Sequence, residues 1–228
     1  MIFKQVFDQK SSTYTYLIAS AEGREALIID PVLENIDDYI KLLNELNLKL
    51  VKVIDTHIHA DHVTGAGKLR DKTKCVTIMG EHTPTDAVEV KVKDEEIIKL
   101  DQLKIKALYT PGHTSDSFSF LMDNYLFSGD TLLINGTGRT DFQNGSSTDA
   151  YNSIFNRLLT LPDETLLYPA HDYKGEKVST IGKEKKFNPR LQVKNVDEYI
   201  DIMNNLNLKK PAAIDFNVAS NLRLGTKI

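Results

Sequence analysis

THIHADH, residues 56–62, gathers three of the chain's six histidines and an aspartate into seven consecutive positions. Imidazole and carboxylate are the ligands of first-row metals where no cysteine cluster exists, and this chain has a single cysteine. His57, His59, Asp61 and His62, crowded at His-x-His-x-Asp-His spacing, have little structural use together, so the stretch predicts metal chemistry. Two more histidines follow apolar runs further along, His113 in TPGHTSDS and His171 in YPAHDY, and Asp130 closes YLFSGD. Taken singly, His113 or His171 reads as a surface or satisfied core histidine. Five of the six histidines in such clusters read as one site. His82, in GEHTPTD, is expected at the surface, and Cys75 in a buried strand with nothing nearby to activate its thiol.

Ligands must approach one ion within about 2 Å, which demands a rigid frame. Short β-branched runs supply it: YTYLIAS, ALIIDP, LVKVIDT, CVTIMG, EEIIKL, LKIKALYT, SFSFLM, YLFSGD and TLLYPAH read as strands, mostly bounded by Gly, Pro, Asp or Asn. IDDYIKLLNELN, VTGAGKLRDK and TDAYNSIFNRLLTL read as helices. Four of the strands end in the polar clusters, VIDT in HIHADH, ALYT in PGHT, YLFS in GD and LLYP in AH, so one sheet rim is expected to gather them. The tail from about residue 175 is lysine-rich and helical in pattern. In it NVDEYIDIMNNLNLKK echoes NIDDYIKLLNELNLKL, which reads as two amphipathic helices with the same start and apolar spacing.

A chain of 228 residues, 41% hydrophobic and 26% charged, can bury a large core without staples. No apolar stretch approaches the roughly 20 residues of a membrane helix. The net charge of -4, with lysines dispersed, argues against nucleic acid as a partner. One cysteine fits a reducing compartment, and the N-terminus has no signal-peptide pattern, so a cytoplasmic location is expected. The sequons at Asn135 and Asn144 read as chance matches. GTGRTD lacks the third glycine of a dinucleotide fingerprint, and GAGKL lacks the leading glycine and the Ser/Thr of a P-loop.

THIHADH, TPGHT, FSGD and YPAHDY together resemble the metallo-β-lactamase superfamily. The resemblance implies an α/β (α+β) fold, an αββα sandwich of two mixed sheets flanked by helices with metals at one edge. It also implies a catalytic domain over residues 1–175 and a short helical C-terminal extension, 176–228, packed on the same domain. The longer stretches THIHADHVTG, GTGRTDFQNG, YPAHDYKG, FNPRL and IDFNVASNLRLG resemble the persulfide dioxygenases within that superfamily.

The two levels of resemblance imply different sites. The superfamily's common arrangement would put one metal on His57, His59 and His113 and a second on Asp61, His62 and His171, with Asp130 between them. Every ligand is present. That alternative is a hydroxyacylglutathione hydrolase with two Zn or mixed Zn/Fe. The persulfide dioxygenase resemblance implies one Fe(II) per chain on His57, His113 and Asp130, a set with open positions suited to oxygen chemistry. His59, Asp61, His62 and His171 then become supporting residues around the ligands. The implied reaction oxidises glutathione persulfide with O2 to sulfite and glutathione, and Arg139 and Tyr173 are expected to contact the substrate. A separate sulfurtransferase and a homodimer are further candidate partners.

Overall fold

The computed structural model describes residues 1–211 and 213–226. The chain begins with β1 (Ile2–Asp8), β2 (Thr13–Ala19) and β3 (Glu25–Ile29), then α1 (Ile36–Glu45), β4 (Lys49–Ile54), α2 (Ala66–Thr73), β5 (Val76–Gly80) and β6 (Val90–Val92). These six strands form one sheet in sequence order, antiparallel at first and parallel from β3 to β6. There follow β7 (Ile97–Leu100), β8 (Leu103–Tyr109), β9 (Phe118–Met122), β10 (Tyr125–Gly129), the short pair β11 (Leu132–Leu133) and β12 (Gly136–Thr137), α3 (Ser147–Phe155), β13 (Leu166–Pro169) and β14 (Ser179–Thr180). The second sheet runs β14-β13-β10-β9-β8-β7, and its β10–β13 pair is parallel. α4 (Ile181–Phe187), α5 (Val196–Asn204) and α6 (Ile214–Asn221) complete the described chain.

Every residue of β2 is buried because both of its faces meet another layer. Alternation sends Tyr14, Tyr16 and Ile18 towards the other sheet, where they join Leu27, Ile54, Ile105, Phe118, Phe120 and Phe127 in the central core. Leu17 and Ala19 point outward to Tyr39, Leu43 and Leu69 of α1 and α2. On the far side Ile154, Ile181 and Tyr199 from α3, α4 and α5 cover Leu108, Leu126 and Leu167. This is the αββα sandwich that the motifs imply.

The two echoing segments become α1 and α5, one on each outer face, and each buries its tyrosine, Tyr39 and Tyr199. Their shared asparagines behave differently. Asn195 caps α5 by accepting from Glu198 N at 3.0 Å, whereas Asn35 ends a 3₁₀ turn, Leu33–Asn35, and donates to Asp8 at 3.2 Å. The helix expected over 148–161 stops at Phe155, and a 3₁₀ turn, Leu158–Thr160, follows. Between them Arg157 leaves helical dihedrals and reaches Asp94, Nη1 to Oδ2 at 2.9 Å. Cys75 is buried and immediately precedes β5, and His82 is exposed with its ring 4.1 Å from that of Tyr109.

The sheets are also joined at the edge where the histidines lie. Tyr16 donates its buried hydroxyl to Pro169 O at 2.6 Å, and Tyr14 N donates to Ala170 O at 2.7 Å. At the other end of β5, Gly80 lies against the Phe118 ring so closely that a Cβ would fall 2.0 Å from Cδ2. Gly80→Ala must therefore displace a fully buried ring. Overpacking of this kind costs about 1–3 kcal/mol, to be read as a lower urea midpoint with an unchanged slope. An unchanged midpoint would show that the sheets yield there freely.

Candidate metal centre

The polar strand ends meet as their positions require. β4 leads to His57, His59, Asp61 and His62, β8 leads to His113, β10 ends at Gly129 beside Asp130, and β13 ends at Pro169, just short of His171. The first three of these elements bring His57, His113 and Asp130 together, with one potential ligand atom from each within 4.8 Å of the others. His59, Asp61 and His62 form a second such group, and Asp30, Asp55 and His59 a third.

A buried imidazole must satisfy two nitrogens, and here the protein spends one and leaves the other. His57 Nδ1 lies 2.9 Å from the Thr56 hydroxyl, which donates to Asp30 Oδ2 at 3.0 Å. That direction makes the hydroxyl an acceptor from His57 and leaves Nε2 as a lone pair. Burial, with His59 and His113 beside it, holds His57 well below the usual imidazole range, so it is neutral. His113 follows the same logic, with Nδ1 donating to Arg139 O at 2.7 Å and Nε2 lying 3.6 Å from Asp130 Oδ2. Among the described residues, His57 Nε2, His59 Nδ1 and His62 Nε2 are the buried side-chain nitrogen or oxygen atoms without a hydrogen-bond partner. A neutral buried lone pair beside a second imidazole and a carboxylate is the donor set a divalent metal needs.

His171 differs. Its Nδ1 is 2.6 Å from Asp130 Oδ1 and its Nε2 is 2.8 Å from Asp61 Oδ2, so both nitrogens donate to carboxylates. Burial works against its charge, but Asp130 and Asp61 outweigh burial and hold the ring well above the ordinary imidazole range. The same contact, with His113 and His57, overcomes burial at Asp130 and holds its carboxyl below the usual range. His62 Nδ1 shares Asp61 Oδ2 at 2.8 Å. The buried Thr13 hydroxyl lies 3.1 Å from His171 Nε2 and is linked through Ser11 Oγ, at 2.7 Å, to Asp8 Oδ2.

Asp30 is one of the supporting residues that the histidine motif does not mark. Its carboxylate accepts from Thr56 N at 2.7 Å and from Thr56 Oγ1, and lies 3.1 Å from His59 Nε2. Burial disfavours charge on His59, but Asp30 and then Asp55 raise it to about 9, a field that also favours a metal cation at Nδ1. Burial pushes the Asp55 carboxyl up to about 7, and it accepts from the Thr64 hydroxyl at 2.8 Å. A signal was available: the apolar run of ALIIDP is followed at once by Asp30, just as that of VIDT is followed by Asp55.

The expected substrate residues lie at the rim. Tyr173 is 72% exposed, and its ring stacks on His171 with 6.0 Å between centroids. Arg139 places its carbonyl on His113, while its guanidinium grips Asp141 at 2.6 and 2.7 Å and donates to Lys209 O at 2.7 Å. The loop carrying it can approach because residue 138 is glycine: a Cβ there would meet Asp130 O at 2.0 Å.

Two layered sheets with metal-ligand side chains at one edge define the class. The chain belongs to the metallo-beta-lactamase superfamily, whose family model matches residues 9–87 and 80–171. Over 230 residues it is 40% identical to human mitochondrial persulfide dioxygenase ETHE1, spanning 100% of this chain and 90% of that protein, and it belongs with the persulfide dioxygenases. The crystal structure of ETHE1 from Myxococcus xanthus matches with a TM-score of 0.97 and 47% identity, covering 99% of this chain and 100% of that one. A hydroxyacylglutathione hydrolase from Dictyostelium discoideum is 33% identical over 170 residues, 70% of this chain and 62% of that protein.

The relay through Thr56 gives a test of how the histidines are oriented. Thr56→Val removes the acceptor that fixes His57, and loss of such a partner lowers metal affinity about 10–100-fold. Thr56→Ser keeps the hydroxyl and should restore binding, measured by chelator competition. Equal affinity in the valine and serine variants would remove the hydroxyl from the account.

Proposed function

We propose that this chain is a glutathione-dependent persulfide dioxygenase with one Fe(II) held by His57, His113 and Asp130. The full-length similarity to persulfide dioxygenases supports the class of reaction. The observation that carries the ligand set is the double hydrogen bond of His171 to Asp130 and Asp61, at 2.6 and 2.8 Å. It occupies one oxygen of Asp130 and both nitrogens of His171. The other Asp130 oxygen, Oδ2, faces His113.

When bound, Fe(II) supplies the open positions at which O2 can be activated beside a sulfur ligand. In the net reaction the S–S bond breaks, the terminal sulfur is oxidised and O2 is reduced. Its two oxygens and one from water complete sulfite, and the glutathione thiol is released. His57 and His113 are held by Thr56 and by the Arg139 carbonyl so that each offers Nε2. His171 bridges Asp130 and Asp61 and keeps the Asp130 side chain from turning. Tyr173 offers a phenol at the open rim and is the direct substrate contact in this reading. Arg139 serves the substrate side by fixing the wall formed with Leu208 and Lys209. No helix among the described residues is long and apolar enough to cross a membrane. The human relative is named as mitochondrial; for this chain the cytoplasmic location expected from the sequence is carried as part of the proposal, as are the separate sulfurtransferase and the homodimer.

Metal analysis of the native protein combined with an oxygen electrode tests the reading. It expects about one iron per chain and O2 uptake that depends on glutathione persulfide. Two zincs per chain with thioester cleavage in the absence of O2 would assign the hydrolase instead.

The ligand assignment has its own test. His57→Ala, His113→Ala and Asp130→Ala should abolish iron binding, while His59→Ala should retain part of it. Total loss in all four variants would sink the three-residue assignment.

A further inference from the structure

The stretch from His57 to Thr64 contains no helix or strand, yet most of it is buried. Its backbone groups need partners that regular structure does not give them. Many come from one distant element. Asn221, at the end of α6, donates from Nδ2 to His59 O and to His62 O, both at 2.8 Å, and its Oδ1 accepts from Thr64 N at 2.8 Å. Asn217, one turn earlier, donates to Ala60 O at 2.9 Å. The pattern fixes the orientation of the Asn221 amide, because a flip would set oxygen against two carbonyls and nitrogen against an N–H donor. Asn221 is 1% exposed, so water cannot readily take its place.

α6 is seated independently of these bonds. Val218, Leu222 and Leu224 pack against Ile58, Met79 and Val88, Thr85 Oγ1 donates to Leu222 O at 2.6 Å, and Gly67 N donates to Leu224 O at 3.0 Å. The helix is thus held by Met79, Val88, Thr85 and Gly67 on the first sheet's side of the site, it touches the histidine loop through Ile58, and its two asparagines grip that loop's backbone. We infer that α6 is a clamp for the metal centre, with Asn221 and Asn217 as positioning residues that fix the path of the loop carrying His57. The inference rests on reading this site as a metal centre. It makes the end of the chain, 159 residues from His62 at Asn221, part of the site's geometry.

The test uses metal-free full-length protein titrated with Co(II), whose d–d absorption reports coordination geometry. Asn221→Ala should weaken Co(II) binding about 10–100-fold and shift its bands while the circular dichroism stays native. Asn217→Ala, which loses one contact, should weaken binding several-fold. Thr85→Val loosens α6 without touching the loop, and it should lower the melting temperature but leave affinity and spectrum as in the wild type. Amide exchange in metal-free protein should speed up at residues 57–64 in Asn221→Ala and stay unchanged in Thr85→Val. A folded Asn221→Ala protein with wild-type affinity, spectrum and exchange overturns the clamp. So does a Thr85→Val protein that loses as much metal as Asn221→Ala. If Asn221→Ala does not fold, wild-type affinity in Asn217→Ala overturns it. A wild-type protein that takes up no Co(II) removes the metal reading beneath it.

Discussion

Burying an imidazole with one nitrogen unpaired costs about 1–3 kcal/mol, and this fold accepts that cost at His57, His59 and His62 together. A metal held by His57, His113 and Asp130 would complete the His57 nitrogen, and the other two lie beside it. The cost also explains the surroundings. Each of these rings has its other nitrogen fixed by an oxygen: Thr56 for His57, Asp30 for His59 and Asp61 for His62. The oxygens are themselves anchored, since Asp30 also holds the Thr56 backbone. Orientation is therefore set before any metal arrives, which limits the reorganisation that binding requires.

Such a cluster can exist only where the two sheets meet. The first sheet contributes the histidine loop after β4, and the second contributes His113, Asp130 and His171 from the ends of β8, β10 and β13. Stacked sheets sit about 10 Å apart, too far for direct coordination across the middle of the sandwich. At this edge Tyr14 and Tyr16 bond to Ala170 and Pro169, and Thr13 makes an isolated bridge to His171. The apolar core supplies the attraction between layers, while these polar links set their separation at the rim.

The strand ends were legible because an apolar β-branched run followed by clustered ligands is a local pattern, visible around VIDTHIHADH and YLFSGD. Four such patterns were enough to gather the ligands on one rim. What was not legible was long-range pairing. Thr13, Asn217 and Asn221 carry no local sign that they meet the histidine loop, since polar residues of these types also serve turns and caps. β1 escaped because its faces are half-covered and its apolar rhythm is weak, and β11, β12 and β14, at two residues each, are too short to show a period. Arg139 shows the same limit from the other side. A salt bridge to Asp141, two residues away, could be weighed from the sequence, but the bonds of the same guanidinium to the Leu208 and Lys209 carbonyls are long-range and could not.

The side chains of the superfamily ligand set that lie outside the proposed three-residue site have a structural use around it. Asp61 and Asp130 are two carboxylates in a buried space, and a cation must stand between them. In the two-metal arrangement that the motifs imply as the alternative, that cation would be the second metal, with His171 as its neutral ligand. Here the imidazolium fills the role, donating at 2.8 and 2.6 Å. A second metal would have to displace its proton and replace both hydrogen bonds, using His62 Nε2 and His59 Nδ1, which remain unpaired beside it. The same side chains can therefore serve either as metal ligands or as a hydrogen-bonded support for Asp130. Thr13, whose hydroxyl lies 3.1 Å from His171 Nε2, helps keep the ring between its two carboxylates, so a residue far from the motif in sequence shares in placing it.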